Sequence, residues 1–214
     1  MIQFENILQN EYNRDNLNKL MEFLFEDYSI EYPAEEYEHH SKLFSTVHKL
    51  GVVKQIDDLH VFEVILLDDA DNKQIKITQD MFRLLDNHVK TTTIVAFVSA
   101  DRKNYRLSLL TIKLEETIDN RLGIKSVFSD PKRFSYTLGI NAKIKTVCNE
   151  LICKGQIRTV EDLRSRFSIE LVNKEFYKEI YKSFETLTRQ VSGINYLGLD
   201  NITNSDLNKI KVEF

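Results

Sequence analysis

The stretch Leu59–Leu67, LHVFEVILL, decides how the chain is interpreted, because it places one glutamate inside an apolar run. Valine, isoleucine, leucine and phenylalanine at this density are typical of a buried β-strand. A carboxylate in such a strand costs free energy unless it is paired with a cation, protonated, or bound to a metal ion. Glu63 is therefore the first residue of the chain that calls for a chemical explanation.

The segments around this strand predict a mixed arrangement of helices and strands. Two helices are predicted first, at about Arg14–Asp27 with Asn13 or Asp15 as its cap, and at Ala34–Leu50 ended by Gly51. Strands are predicted at 52–56, 59–67 and 73–77, followed by a helix at 79–89 that Thr78 would cap, and by strands at 92–100 and 104–114. We therefore expect an α/β (α+β) fold with a mixed central sheet flanked by helices.

The composition changes at about residue 117, which suggests three domains: residues 1–116, a smaller basic helical linking region at 117–191, and a tail or start of a further domain at 192–214. Helices are predicted at 140–155, ended by Gly155, and at 159–167, capped by Thr159. A further helix carries an apolar stripe that needs a cover, formed by Phe176, Tyr177, Ile180, Tyr181, Phe184 and Leu187.

The charge is distributed unevenly along the chain. Residues 1–100 hold 9 basic and 18 acidic residues, whereas residues 101–190 hold 18 basic and 12 acidic ones, so the two parts carry −9 and +6. A basic segment is compatible with nucleic-acid binding, and equally with docking against the acidic part of the same chain.

Several classes of protein are disfavoured by the sequence. No apolar run approaches the roughly 20 residues that span a bilayer, and the first residues resemble no secretion signal, so we expect a cytoplasmic protein without a membrane partner. Cys148 and Cys153 match neither a disulfide framework nor a metal knuckle, and the histidines show no zinc-ligand spacing.

The residues near Glu63 suggest a two-carboxylate metal site. Asp57 or Asp58 ends the preceding strand, and two acids on adjacent strands are typical ligands of a catalytic Mg²⁺. Lys54 or Lys76 would supply an ammonium group from a neighbouring strand, His60 a ligand or base, and Glu35, Glu36 or Glu38 a further carboxylate from the preceding helix. The alternative is structural: Glu63 would lie on the solvated face of an edge strand, and the aspartates would form a turn.

Five stretches, taken in order, resemble the N-terminal region of large bacterial type II (IIG-like) restriction-modification proteins, in which a nuclease part precedes a fused adenine-specific DNA methyltransferase. The stretches are HVFEVIL, KITQDMFRLL, TIVAFVSADRKNYRLSLLTI, DPKRFSYTLG and GQIRTVEDLRSRFSIELVNKEFYKEIYKSF, and the resemblance covers roughly residues 50–190. The methyltransferase signatures NPPY and FxGxG are absent from the chain. The resemblance implies double-stranded DNA as a partner, and methyltransferase and target-recognition domains that this chain does not contain.

The resemblance also implies a PD-(D/E)XK-like nuclease fold, in which one acid and an E-x-K triplet lie on neighbouring strands. Asp58 would correspond to the first acid and Glu63 to the second, both as Mg²⁺ ligands, with Lys54 and Gln79 as further catalytic candidates. Ile65 stands where the lysine is expected. The DNA-binding candidates in the basic region are Arg133, Arg158, Arg164 and Arg166.

Three functions follow as hypotheses. The first is a Mg²⁺-dependent DNA endonuclease region of a restriction-modification protein. The second is a non-catalytic DNA-binding or scaffolding module that orients the absent methyltransferase. The third is an unrelated α/β protein-interaction domain.

Overall fold

The computed structural model describes residues 2–56, 58–70, 73–87, 92–117, 123–128, 135–168, 178 and 180–189. The chain divides into two compact units, Met1–Glu170 and Leu171–Phe214. No helix in the described ranges is long and apolar enough to cross a membrane.

The first unit is a mixed α/β fold, as predicted, built on a seven-stranded sheet. Its helices are α1 (Ile2–Gln9), α2 (Arg14–Leu24), α3 (Gln74–Asn87), α4 (Lys145–Val147), which continues as a π-helical turn at Cys148–Ile152, and α5 (Val160–Phe167). Its strands are β1 (Tyr28–Glu36), β2 (Phe44–Val53), β3 (Leu59–Leu66), β4 (Thr92–Val98), β5 (Asn104–Thr117), β6 (Gly123–Phe128) and β7 (Ser135–Gly139).

The strands follow the order β1-β2-β3-β4-β5-β6, and β7 also pairs with β5. All neighbouring pairs are antiparallel except β3 and β4, which run parallel and are connected through α3. A parallel pair needs such a crossover, whereas antiparallel neighbours are joined by short turns. The sheet is therefore mixed because α3 interrupts the chain between its two central strands.

Residues of β2–β5 form a hydrophobic core cluster with α3. On β3, Phe62 and Val64 belong to this cluster and are fully buried. Because successive side chains of a strand point to opposite faces, Glu63 lies on the other face of the sheet.

The predicted helix at Ala34–Leu50 is wrong, because this segment forms the end of β1, a loop and most of β2. Gly51 consequently does not end a helix. It lies where β2 passes close to β1, since a Cβ atom at this position would come within 2.4 Å of the Ser29 carbonyl oxygen and 2.6 Å of the Tyr28 ring. Of the three glutamates considered as further carboxylates, Glu35 and Glu36 belong to β1 and Glu38 to the following loop.

The predicted strand at 73–77 is also wrong, because α3 begins at Gln74. The alternation of Ile75 and Ile77 resembles a strand, but Ile77 and Met81 are four residues apart and both pack into the core cluster. Thr78 lies inside the helix rather than at its start, and its hydroxyl donates a hydrogen bond to the Gln74 carbonyl at 3.0 Å.

The sheet continues beyond residue 116, where a domain boundary was predicted. β5 extends to Thr117, and β6 and β7 pair with residues 112–117 and 104–108 of β5. The region predicted to be a helical link thus supplies two strands as well as α4 and α5. The predicted ends are confirmed: Gly155 has a φ of 72°, and the Thr159 side chain accepts a hydrogen bond from Asp162 N at 3.1 Å.

In the second unit, residues 180–189 are helical, as predicted. Four residues of the apolar stripe are exposed: Ile180, Tyr181, Phe184 and Leu187. Phe176, Tyr177 and the tail at 192–214 lie outside the described residues.

Candidate functional site around Glu63

Glu63 lies on a central strand and is 2% exposed. Its neighbours in register are His48 on β2 and Ala96 on β4. The expectation that Glu63 lies on the solvated face of an edge strand is therefore wrong. A carboxylate this deeply buried requires a partner.

Arg14 is that partner. Its Nε donates a hydrogen bond to Glu63 Oε2 at 2.8 Å, and its Nη2 donates to the same oxygen. Arg14 is the first residue of α2, and the side chain of the cap residue Asn13 accepts a hydrogen bond from Asn16 N at 3.1 Å. A cation is unfavourable at a helix N-terminus, so the ion pair with Glu63 offsets the repulsion by the helix dipole.

Tyr12 and His48 complete the surroundings of Glu63. Burial and, secondarily, the negative charge of Glu63 raise the pKa of Tyr12, which keeps its hydroxyl neutral. The Tyr12 ring packs edge-on against Tyr105, with ring centroids 5.2 Å apart. His48 Nδ1 lies 3.8 Å from Glu63 Oε2, which is beyond hydrogen-bond distance.

The structure does not bring Asp58 or Lys54 to Glu63. Asp58 is exposed in the turn before β3, with a φ of 47°, and Lys54 is exposed at the start of the same turn. Asp58 lies five positions before Glu63, which corresponds to roughly 16 Å along a strand. Asp57 lies outside the described residues.

These residues do not fit a shared Mg²⁺ in this conformation. Two ligands of one Mg²⁺ lie within about 4 Å of each other, because each is about 2.1 Å from the metal. The Asp58–Glu63 separation is several times larger, and Arg14 occupies Glu63 Oε2. Among the described residues, no group of three or more His, Cys, Asp or Glu side chains is arranged to hold a metal ion.

The other predicted catalytic residues lie elsewhere on the first unit. Gln79 and Lys76 are exposed on α3, which covers the opposite face of the sheet from Glu63. Lys76 lines a cleft of about 740 Å³ between α3 and the segment 35–44. The three glutamates considered as extra ligands, Glu35, Glu36 and Glu38, also line this cleft.

The predicted DNA-binding arginines differ in their availability. Arg158 is exposed and Arg164 partly buried, so both present charge at the surface. Arg166 is 4% exposed: it forms two hydrogen bonds with the Asp162 carboxylate, at 2.7 and 2.9 Å, and two with backbone carbonyls. Its guanidinium thus holds α5 against the preceding loop and is not available to a phosphate. Arg133 lies outside the described residues.

Sequence reasoning missed Arg14, Tyr12 and His48. The cost of burying Glu63 indicated pairing, protonation or a bound cation, but nothing in the local pattern connects residue 14 with residue 63. His48 was missed because residues 34–50 were predicted to be helical.

Comparison with known proteins adds no identification. No family model matches this chain, and neither the curated proteins nor the solved structures contain a significant match.

Proposed function

We propose that this chain is a non-catalytic DNA-binding or scaffolding module of a restriction-modification protein. In this role it positions a methyltransferase and target-recognition part that the chain itself does not contain. Two observations support this role: the sequence resemblance and the contacts that Glu63 makes.

The observation that carries the proposal is the ion pair between Arg14 and Glu63. In a two-acid nuclease site the second carboxylate must face the metal ion that it shares with the first acid. Here the carboxylate faces a guanidinium, and the lysine expected two residues later is Ile65. Both differences favour a structural role for Glu63 over the Mg²⁺-dependent endonuclease.

DNA binding rests on the basic residues that follow the sheet. Arg158 precedes α5 and Arg164 lies in its last turn, and neither forms an ion pair with a carboxylate of the described residues. Contacts of this kind to phosphates position a protein on DNA without reading its sequence. We therefore expect affinity that depends strongly on salt and weakly on base sequence.

The test combines binding with cleavage. Fluorescence anisotropy with a labelled duplex at several salt concentrations measures affinity, and incubation with supercoiled plasmid and Mg²⁺ or Mn²⁺ measures nicking. We expect binding that weakens as salt rises, with each phosphate contact contributing about −0.9 to the slope of log K against log salt. We expect no nicking above the background of Glu63→Gln.

Matched variants separate the alternatives. Arg158→Ala should reduce the affinity for duplexes of different sequence by one common factor, and so should Arg164→Ala. Arg83 is an exposed arginine on α3, and Arg83→Ala should leave the affinity unchanged. Metal-dependent nicking that Glu63→Gln abolishes would support the endonuclease instead. Neither binding nor nicking would leave the protein-interaction domain as the remaining hypothesis.

A further inference from the structure

A second cavity, of about 150 Å³, lies on the sheet face that α3 covers. Its polar lining residues are Gln74, Ser99, Asn104, Arg106 and Thr137. The volume is about five times the share of one water molecule in the liquid, so a small polyatomic ion fits inside.

Arg106 is the charged residue of this cavity. It lies on β5, in register with Phe97 of β4 and Thr137 of β7. Its Nη2 donates a hydrogen bond to Thr78 Oγ1 at 2.8 Å, and its Cζ atom lies 4.8 Å from the centroid of the Phe97 ring. These contacts hold the guanidinium in place, and among the described residues they engage one of its five N–H donors.

No carboxylate of the described residues forms an ion pair with Arg106. Asp101, on the turn beside the cavity, instead accepts hydrogen bonds from Ser99 Oγ and Lys103 N. Burial without a compensating charge lowers the pKa of Arg106 to about 10, so the group remains charged at neutral pH. A partly buried arginine that forms no ion pair with a described carboxylate favours an anion supplied from outside.

The start of α3 adds a second positive contribution. Gln74, the first residue of this 14-residue helix, lines the cavity, and Arg106 bonds to Thr78 in the second turn. Helix N-termini carry a partial positive charge and favour anions. Arg106 and the start of α3 are both positive and both lie at this cavity. Together they favour an anion there.

We propose that this cavity binds a single phosphate-type oxyanion, held by the guanidinium of Arg106 at the start of α3. A planar guanidinium makes paired hydrogen bonds to phosphate oxygens. The phosphate comes either from solution, as a free ion, or from a DNA backbone. The site itself does not depend on the function proposed above; only the DNA source does.

The experiment is a calorimetric titration with inorganic phosphate at constant ionic strength, maintained with chloride. The full chain is compared with Arg106→Gln, Gln74→Glu and the control Arg83→Gln. Gln74→Glu places a carboxylate of the same shape at the cavity, so it competes for Arg106 without removing packing. We expect saturable binding that weakens by about tenfold or more in the first two variants and is unchanged in the control.

Absence of saturable phosphate binding in the unaltered chain, or equal binding by Gln74→Glu, would overturn the proposal. If Arg106→Gln fails to fold, Gln74→Glu decides alone. A labelled duplex then identifies the source: parallel loss of duplex affinity in both variants indicates a DNA phosphate, and unchanged duplex affinity indicates the free ion. Failure of the unaltered chain to bind duplex would contradict the proposed function while leaving the phosphate result intact.

Discussion

Replacing Arg14 by methionine removes the guanidinium that pairs with Glu63 and leaves this buried carboxylate without that ion pair. Methionine retains most of the volume of the arginine stem, so the change tests charge more than packing. Although the Arg14 side chain is 40% exposed, we expect its substitution to lower the free energy of unfolding considerably. Surface substitutions ordinarily change stability by less than about 0.5 kcal/mol.

The magnitude follows from the burial of the two partners. Removing one partner of a fully buried ion pair costs about 3–5 kcal/mol. Glu63 is 2% exposed, but water reaches the vacated Arg14 position and solvates the carboxylate in part. We therefore expect the free energy of unfolding to fall by about 2–3 kcal/mol, which for a unit of this size lowers Tm by about 5–10 °C.

The assay is urea unfolding followed by circular dichroism, on Arg14→Met, Glu63→Gln and the double variant. The coupling energy of this cycle should be about 2 kcal/mol, because the two changes remove the same interaction. Arg83→Met is the control, since the Arg83–Asp80 pair is exposed on the arginine side and should contribute less than about 1 kcal/mol. A coupling energy below about 0.5 kcal/mol would refute the reasoning that Arg14 compensates the buried charge.

Three further predictions concern other parts of the first unit. The native state holds the Tyr12 proton more tightly than the unfolded chain, so the stability that this gives below pH 10.0 is lost as the pH rises toward the native pKa. Tyr12→Phe should reduce this loss by up to about 1.4 kcal/mol per pH unit. Urea unfolding at several pH values above 10.0 measures it. Gly51→Ala should destabilise by about 1–3 kcal/mol in the same assay, because its Cβ meets backbone and ring atoms of β1. Arg166→Met should lower the free energy of unfolding by about 3 kcal/mol, whereas Arg158→Met should leave it nearly unchanged in thermal unfolding.

The fold class was predictable from the sequence because strong periodic signals mark its central elements. The strands β3, β4 and β5 are rich in β-branched and aliphatic residues, and Asn13 and Thr159 cap their helices as expected. The order of two helices, three strands, a helix and two strands recurs in the fold only by element type, because the predicted second helix and third strand were wrong and α1 and β1 were not predicted.

The identity of several elements was not predictable, for physical reasons that particular residues illustrate. Residues 34–50 carry glutamates and spaced apolar residues that suit a helix, but pairing of β2 with β3 outweighs this local preference. Ile75 and Ile77 alternate as in a strand, but in α3 only Ile77 packs into the core cluster. Tertiary contacts, rather than local pattern, decided both segments.

The candidate site was predictable in part. The position of Glu63 in an apolar strand indicated that its carboxylate must be paired, protonated or bound to a cation if it is buried, and pairing is what the structure shows. The nature of that partner depended on a contact across 49 residues of sequence, between the start of α2 and the middle of β3. No local motif records such a contact, so the sequence left only a metal site and a solvated edge strand as alternatives, and Arg14 was missed.

The central claim is that Glu63 forms an ion pair with Arg14 and does not bind a metal ion. A calorimetric titration with Mg²⁺ and Mn²⁺ tests this claim most directly. The unaltered chain is compared with Glu63→Gln and Asp58→Asn under identical conditions. The account predicts no saturable binding that depends on Glu63. Saturable binding that both substitutions abolish would contradict it and establish a two-carboxylate metal site.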